Sequence, residues 1–160
     1  MHKKFYVVLV LVSIALIGCQ KTENLGLQSP IADISKPTVY GTANSLDFAD
    51  YFASKGESII SPIRGQIYII TPAEGSLIGE SGRVVYIISE SLEARLYFFG
   101  ELDVLNNATV EKGQIIGYTG DALPAAVSPS RANLRMSVLL LSYGGDWKSV
   151  NLKSQIGDKN

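Results

Sequence analysis

The sequence is poor in the side chains on which most hydrolases and metalloenzymes depend. It has one histidine, His2, and one cysteine, Cys19, and both lie near the amino terminus. From residue 20 onward there is neither an imidazole nor a thiol. A serine or cysteine nucleophile activated by histidine is therefore excluded in that part of the chain, and so is an intramolecular disulfide. A catalytic zinc site is disfavoured too, since the common ones include at least one imidazole.

The chain also lacks a strong charge of either sign, because its formal net charge is −1. Without Lys3 and Lys4, twelve basic residues stand against fifteen acidic ones. This balance offers no electrostatic basis for binding nucleic acid. No phosphate-binding glycine loop and no Gly-x-Ser-x-Gly motif is present, and the sequence predicts no cofactor.

The amino-terminal stretch has the pattern of an export signal. Lys3 and Lys4 precede an apolar run over residues 5–17. That run is shorter than the roughly 20 residues that a membrane-spanning helix needs. Residues 1–18 are therefore predicted to be a signal peptide.

Leu16-Ile-Gly-Cys19 resembles the bacterial lipobox, in which the cysteine becomes the lipidated first residue of the mature protein. The alternative is an ordinary signal peptide with an incidental cysteine. Gln20 follows Cys19, and by resemblance to proteobacterial lipoproteins this implies an outer-membrane anchor facing the periplasm. Polar residues and two prolines, Pro30 and Pro37, come next, so residues 19–38 are predicted to be the lipidated cysteine and a flexible tether.

Residues 39–150 have the pattern of one mainly β domain. Glycine or proline recurs every few residues, and the runs between are short and rich in Ile, Val, Tyr and Phe. Two runs, 83–89 and 138–141, are apolar on both faces, as in a β-sandwich. Residues 151–160 are predicted to be a polar tail that frays. The strongest strand predictions are 66–71, 83–89, 94–99, 114–119 and 133–141.

The domain is organised around residues 110–120, Val-Glu-Lys-Gly-Gln-Ile-Ile-Gly-Tyr-Thr-Gly. Gly113 is predicted to take a positive φ in a turn after Glu111 and Lys112. The apolar residues that follow are predicted to form a core strand that ends at Gly120.

Six segments resemble, in order, those of the LytM or M23 peptidase family. This resemblance covers residues 40–142 and implies a duplicated-hybrid-motif β-sandwich, the fold of zinc endopeptidases that cut peptide crosslinks in bacterial cell walls. The segments are Ser45-Leu-Asp-Phe-Ala49, Ser61-Pro-Ile-Arg-Gly-Gln-Ile67, Gly82 to Ile88, Phe99-Gly-Glu-Leu102, Val110 to Gly120 and Asn133-Leu-Arg-Met-Ser137.

At the family's functional positions the resemblance implies a degenerate site. The first zinc ligand, a histidine four residues before the aspartate, is replaced by Ala43, and Asp47 keeps the second ligand. Arg135 replaces the third, while Glu101 and Asn133 stand where two histidines assist catalysis. A guanidinium in a metal's place repels a divalent ion. The chain is therefore predicted to have no metal and no peptidase activity.

The four polar replacements, Asp47, Glu101, Asn133 and Arg135, are expected to converge on the old substrate groove. Arg135 either pairs internally with Asp47 or Glu101, or grips a carboxylate of a partner. Degenerate LytM-like proteins of Gram-negative envelopes activate cell-wall amidases, so the resemblance implies a regulator of such a hydrolase. The alternatives are a module that binds peptidoglycan directly and a residual zinc metalloendopeptidase.

Aromatic residues allow two interpretations. Tyr86, Tyr97, Phe98 and Phe99 could form a sugar-stacking surface, but their strand spacing favours core and sheet packing. Trp147 is predicted to cap the sandwich rather than to anchor a partner.

Overall fold

The computed structural model describes residues 24–33, 38–72, 76–79 and 82–156. The predicted signal peptide and Cys19 lie outside these ranges, so their roles stay predictions. No helix within the described ranges is long and apolar enough to cross a membrane.

The described chain is mainly antiparallel β-structure, as the sequence predicts. All five predicted strands form, with ends shifted by one or two residues. The elements are β1 (Thr38–Ala43), β2 (Leu46–Tyr51), β3 (Ser58–Ile60), β4 (Gly65–Ile70), β5 (Gly82–Ile88), β6 (Leu92–Phe99), β7 (Thr109–Val110), β8 (Ile115–Tyr118), β9 (Leu134–Leu141), β10 (Trp147–Ser149) and the short helix α1 (Leu152–Gln155).

Within the described residues, eight strands form one large sheet in the order β1-β2-β9-β6-β5-β4-β7, with β10 added beside β9. Every pair is antiparallel. β9 is central: β6 covers one edge along its length, while β2 and β10 share the other. This strand, late in the sequence, therefore joins the two halves of the sheet.

The large sheet has one core face and one open face, because side chains alternate along each strand. The core face is apolar and completely buried in places, as at Leu96, Phe98 and Met136. On the neighbouring positions Tyr86, Tyr97 and Phe99 are only partly buried and pack in a smaller cluster around Leu123. Phe98 is thus a core residue, whereas the other three aromatics belong to the open face.

The smaller sheet pairs β3 with β8, and both supply fully buried side chains, Ile59 and Ile116, to the main core. Gly113 has the predicted positive φ, at 83°, and the Gln114 N–H donates to the Glu111 carbonyl across the turn. The strands on either side of this turn do not pair with each other, since β7 joins β4 in the large sheet. Residues 110–120 therefore connect the two sheets and are not a hairpin.

Both predicted domain boundaries are wrong, because each leaves core residues outside the folded domain. Within the predicted tether, Leu27 and Ile31 belong to the main core, and Ile31 bridges to Ile59 in β3. Within the predicted tail, Leu152 is 1% exposed. The apolar residues in these polar stretches are too few to show a period, yet each has a place in the core.

Trp147 does not cap the domain. It lies in β10 at the sheet's margin and is 42% exposed, while Tyr143, in the turn before it, is fully exposed.

Candidate functional site

A buried ion pair lies on the open face of the large sheet. Asp50 of β2 stands opposite Arg135 of β9 in the register, and their side chains form a two-point contact. Arg135 Nε lies 2.7 Å from Asp50 Oδ1, and Nη2 lies 2.9 Å from Oδ2. Asp50 is 1% exposed and Arg135 is 9% exposed. This is the geometry of a strong, charge-assisted pair.

Two serines complete the coordination of the Asp50 carboxylate. The hydroxyls of Ser128 and Ser130 donate to Oδ2 at 2.7 Å and 2.6 Å. The Ser128 hydroxyl also accepts from the Ala132 N–H, which fixes the loop that leads into β9. Asp50 thus accepts four hydrogen bonds, which offsets the removal of its charge from water.

The Arg135 guanidinium also lies over the ring of Phe48, 3.6 Å from the ring centre. Both residues line a groove of about 380 Å³ on the open face. Leu46, Leu77 and Val127 make much of its rim apolar, and the Leu77 side chain is 70% exposed. The arrangement is an apolar groove with an ionic floor whose charges are already satisfied.

A second arginine on the same face has similar surroundings. Arg95 of β6 pairs with Glu93, and its guanidinium lies 5.2 Å from the ring centre of Tyr86. Burial, with the nearby Tyr86 hydroxyl, raises the pKa of Tyr97, which faces Arg135 across the strand pair. Ion-paired arginines and aromatic rings therefore extend across four strands of this face, β2, β9, β6 and β5.

A larger cleft of about 600 Å³ lies where β6 leaves the sheet and β8 ends. Glycines bring the two chains together here, since a Cβ on Gly100 would lie 2.0 Å from the Tyr118 carbonyl oxygen. Phe99 and Tyr118 supply aromatic surface. Polar groups on the wall include Glu101 and the exposed ion pair of Lys55 with Asp121.

The residues predicted from the sequence divide between these two cavities. Ala43 and Arg135 line the groove, and Glu101 lines the cleft. Asn133 lines neither cavity, but its side-chain amide donates to the carbonyl of Gly120, a residue of the cleft, at 3.1 Å. The expected convergence of all four polar residues on one groove is thus only partial.

Asp47 is not part of either cavity. Its carboxylate accepts from the Thr42 hydroxyl at 2.6 Å, and its N–H donates to Ser149 of β10 at 2.7 Å. Alternation along β2 places Asp47 on the face opposite Asp50. The expectation that Arg135 pairs with Asp47 or Glu101 is wrong, because Asp50 is its partner.

Asp50 was not identified from the sequence, because β2 contains two aspartates in similar sequence surroundings. Asp47 and Asp50 are each followed by an aromatic residue, and sequence spacing alone favoured the first. The strand register would have distinguished them, since only Asp50 faces Arg135. Ser128 and Ser130 carry no signal of their own in the sequence.

The residues present do not fit a zinc ion. Both oxygens of Asp50 are engaged by Arg135, and the guanidinium's fixed charge opposes a second cation at that place. The residue four positions before Asp47 is Ala43, and the one four before Asp50 is Leu46, so neither choice supplies an imidazole. The described ranges contain no group of three or more His, Cys, Asp or Glu arranged to hold a metal.

The protein is thus a mainly antiparallel β-domain whose large sheet has an open, aromatic face with an ion pair in its groove. Solved structures identify the fold. Lysostaphin from Staphylococcus simulans matches 86% of this chain with a TM-score of 0.59 and 16% identity, over 58% of its own length. A peptidase M23 from Pseudomonas aeruginosa matches 84% with a TM-score of 0.57 and 17% identity, over 52% of its length.

A third match comes from the pore-forming complex of SpoIIQ with SpoIIIAH. It covers 84% of this chain and 92% of the other, with a TM-score of 0.56 and 14% identity. No family profile and no curated protein sequence matches the chain. The domain therefore has the LytM/M23 peptidase fold, and it spans a little over half the length of lysostaphin and of the Pseudomonas protein.

Proposed function

We propose that this protein is a non-catalytic envelope lipoprotein whose LytM-like domain binds or regulates a cell-wall hydrolase such as an amidase. The observation that carries the proposal is the Asp50–Arg135 pair. It puts a satisfied salt bridge at the position where the family resemblance expects a metal ligand. The same fold occurs in the SpoIIQ–SpoIIIAH complex, which supports a protein partner.

The groove beside the pair suits a protein surface. Its rim is apolar and Leu77 projects from it, 70% exposed. Isolated exposed leucines are common, but one that lines a concave apolar surface suits a partner contact. The ionic floor is fully paired, so an approaching partner contacts it without leaving a charge unsatisfied.

Dye release from labelled sacculi tests the proposal. Residues 20–160 are assayed alone and with each amidase of the host, and release is expected only when both proteins are present. Leu77→Asp is expected to abolish activation, whereas Leu105→Asp, the same substitution at an 81% exposed leucine outside the groove, is expected to retain it. Release by the domain alone would overturn the non-catalytic assignment.

Direct binding of peptidoglycan is the second candidate, favoured by the 600 Å³ cleft with Phe99 and Tyr118 in its lining. Sugars stack on such rings while polar groups bond their hydroxyls. Co-sedimentation with purified sacculi, compared between the wild type and Tyr118→Ala, tests this candidate. Failure of the wild type to sediment would remove it.

A residual zinc metalloendopeptidase is the third candidate, and metal analysis separates it from the others. A zinc enzyme purifies with roughly one ion per chain. We expect far less zinc than that here, because Asp50 is occupied by Arg135.

A further inference from the structure

Residues of the predicted tether already form hydrogen bonds with the folded domain from Leu25 onward, well before residue 38. The Leu25 N–H donates to the Gln155 side chain at 2.9 Å, and Lys112 Nζ donates to the Gly26 carbonyl at 3.2 Å. The Gln28 N–H then donates to the Pro62 carbonyl at 3.1 Å. The first contacts therefore lie beside α1 and the Lys112 turn.

From there the segment runs beside β3 of the small sheet, to which an isolated β-bridge joins it. The Ile60 N–H donates to the Pro30 carbonyl, and Ile31 bridges to Ile59. The segment thus runs antiparallel to β3, from its carboxyl end toward its start. At the opposite end of the sheet the Gly56 N–H donates to the Thr119 carbonyl, and both residues line the 600 Å³ cleft.

The small sheet therefore has two distinct ends. The end at Pro62, Gly113 and Gln155, where the chain enters, is called the anchor end. The end at Gly56 and Thr119 is called the cleft end.

Two lengths decide how a lipidated chain can orient this domain. Cys19 and Leu25 are six residues apart, so the link between them spans at most about 21 Å. Gly113 and Gly120 lie on either side of β8 and are seven residues apart, which corresponds to about 23 Å between the two ends of the sheet. The link is no longer than the small sheet, so only a fully stretched link would let the cleft end face the bilayer.

We infer that the domain stands on the membrane with its anchor end toward the bilayer and its cleft facing away. This orientation rests on the proposed lipidation of Cys19. The surface offered to the headgroups includes the exposed side chains of Arg64, Glu111, Lys112 and Lys153, three basic and one acidic. That charge suits an anionic bilayer. A ligand or partner of the cleft then approaches from the side opposite the membrane.

Fluorescence quenching in vesicles tests the orientation on the full lipoprotein. Once Cys19 carries lipid, an introduced cysteine is the only free thiol and can take a bimane label. Glu111→Cys at the anchor end and Asp121→Cys at the cleft end are matched, because each removes an exposed acid from one exposed ion pair. The vesicles are phosphatidylethanolamine and phosphatidylglycerol with a nitroxide on some headgroups.

We expect severalfold stronger quenching of the label at position 111 than at position 121. Equal quenching, or stronger quenching at 121, would overturn the inference. Inserting about 20 Gly/Ser residues after Thr22 extends the maximum reach by about 70 Å and is expected to remove most of the difference. Persistence of the full difference in that variant would overturn the short link as its cause.

The lipidation itself has a separate readout. The mass of the amino-terminal peptide of the purified protein shows whether Cys19 carries acyl chains. A non-lipidated Cys19 would refute the proposed anchor, whereas a lipidated protein with equal quenching at the two positions would refute only the orientation.

Discussion

At the scale of single residues, the Asp50–Arg135 pair shows how a charge is retained inside a β-sheet. Removing two ions from water is strongly unfavourable, and the attraction between them offsets this only when the remaining hydrogen-bonding groups are also satisfied. Ser128 and Ser130 meet that condition for the carboxylate, and the ring of Phe48 covers the guanidinium.

Removing one partner leaves the other buried and uncompensated. Arg135→Met is therefore expected to lower the free energy of unfolding by about 3–5 kcal/mol, measured by urea denaturation. The double variant Asp50→Leu with Arg135→Met is expected to lose much less stability than the sum of the losses in the two single variants. Additive losses would contradict a coupled pair.

The exposed pair of Lys55 with Asp121 is the control for this cycle. Its side chains are 72% and 79% exposed, so Asp121→Ala is expected to change stability by less than about 1 kcal/mol.

Tyr51 makes stability depend on alkaline pH. Burial, with the charge of nearby Tyr40, raises the pKa of Tyr51 far above its ordinary value of 10.0. The Ser29 hydroxyl, which would lower that pKa, donates to the Ile31 carbonyl at 2.8 Å. Above about pH 10 the unfolded chain loses this proton while the folded chain keeps it, so stability falls as pH rises.

Tyr51→Phe is expected to flatten this decline, measured as urea midpoints between pH 8 and 11. A shallower slope remains, since burial also raises the pKa of Tyr97. An unchanged slope in the Phe variant would show that Tyr51 does not govern the alkaline transition.

At the scale of elements, the approach of β8 to the end of β6 depends on glycine. Gly100 has a φ of 139°, which side chains rarely adopt, and its hydrogens face the Tyr118 carbonyl. Gly100→Ala is expected to lower the free energy of unfolding by about 1–3 kcal/mol because of the backbone conformation alone. Gly144→Ala, which meets no atom within 4 Å, is the matched control for urea unfolding. Equal losses in the two variants would exclude a close approach at Gly100.

The elements that the sequence predicts well are the ones whose runs are continuously apolar. β5 and β9 follow directly from their Val, Ile and Leu content and from the turn residues at their ends. No such signal marks β2, which contains Asp47 and Asp50, residues depleted in strands. Each aspartate is tolerated because a neighbouring strand supplies a partner, and that partner is visible only in the register.

At the scale of the whole molecule, the folded unit is longer at both ends than the sequence suggests. A chain of residues 24–156 is expected to unfold at the same urea concentration as residues 20–160, and residues 38–150 at a much lower one. The reason is the burial of Leu27, Ile31 and Leu152. Equal midpoints for all three chains would contradict a role for the terminal segments.

A point variant tests the amino-terminal contribution without truncation. Ile31→Ala in the complete chain is expected to cost about 2–5 kcal/mol, because Ile31 is 2% exposed. Val39→Ala, at a residue 42% exposed, is expected to change stability by less than about 1 kcal/mol.

The general fold and the loss of the family's histidines could be predicted from composition and ordered motifs. The choice of aspartate could not, because a shift of three residues along β2 moves the side chain to the other face of the sheet. The spacing of residues in the sequence therefore did not identify the aspartate of the site, whereas the pairing of the strands does.

The central position of β9 also bears on the order of events during biosynthesis. β2 and β6 meet only through this strand, which ends at Leu141, near the end of the chain. Until those residues have been synthesised, both earlier strands present unpaired edges, and such edges are prone to aggregate. The sheet therefore closes late, through contacts between residues that are distant in sequence.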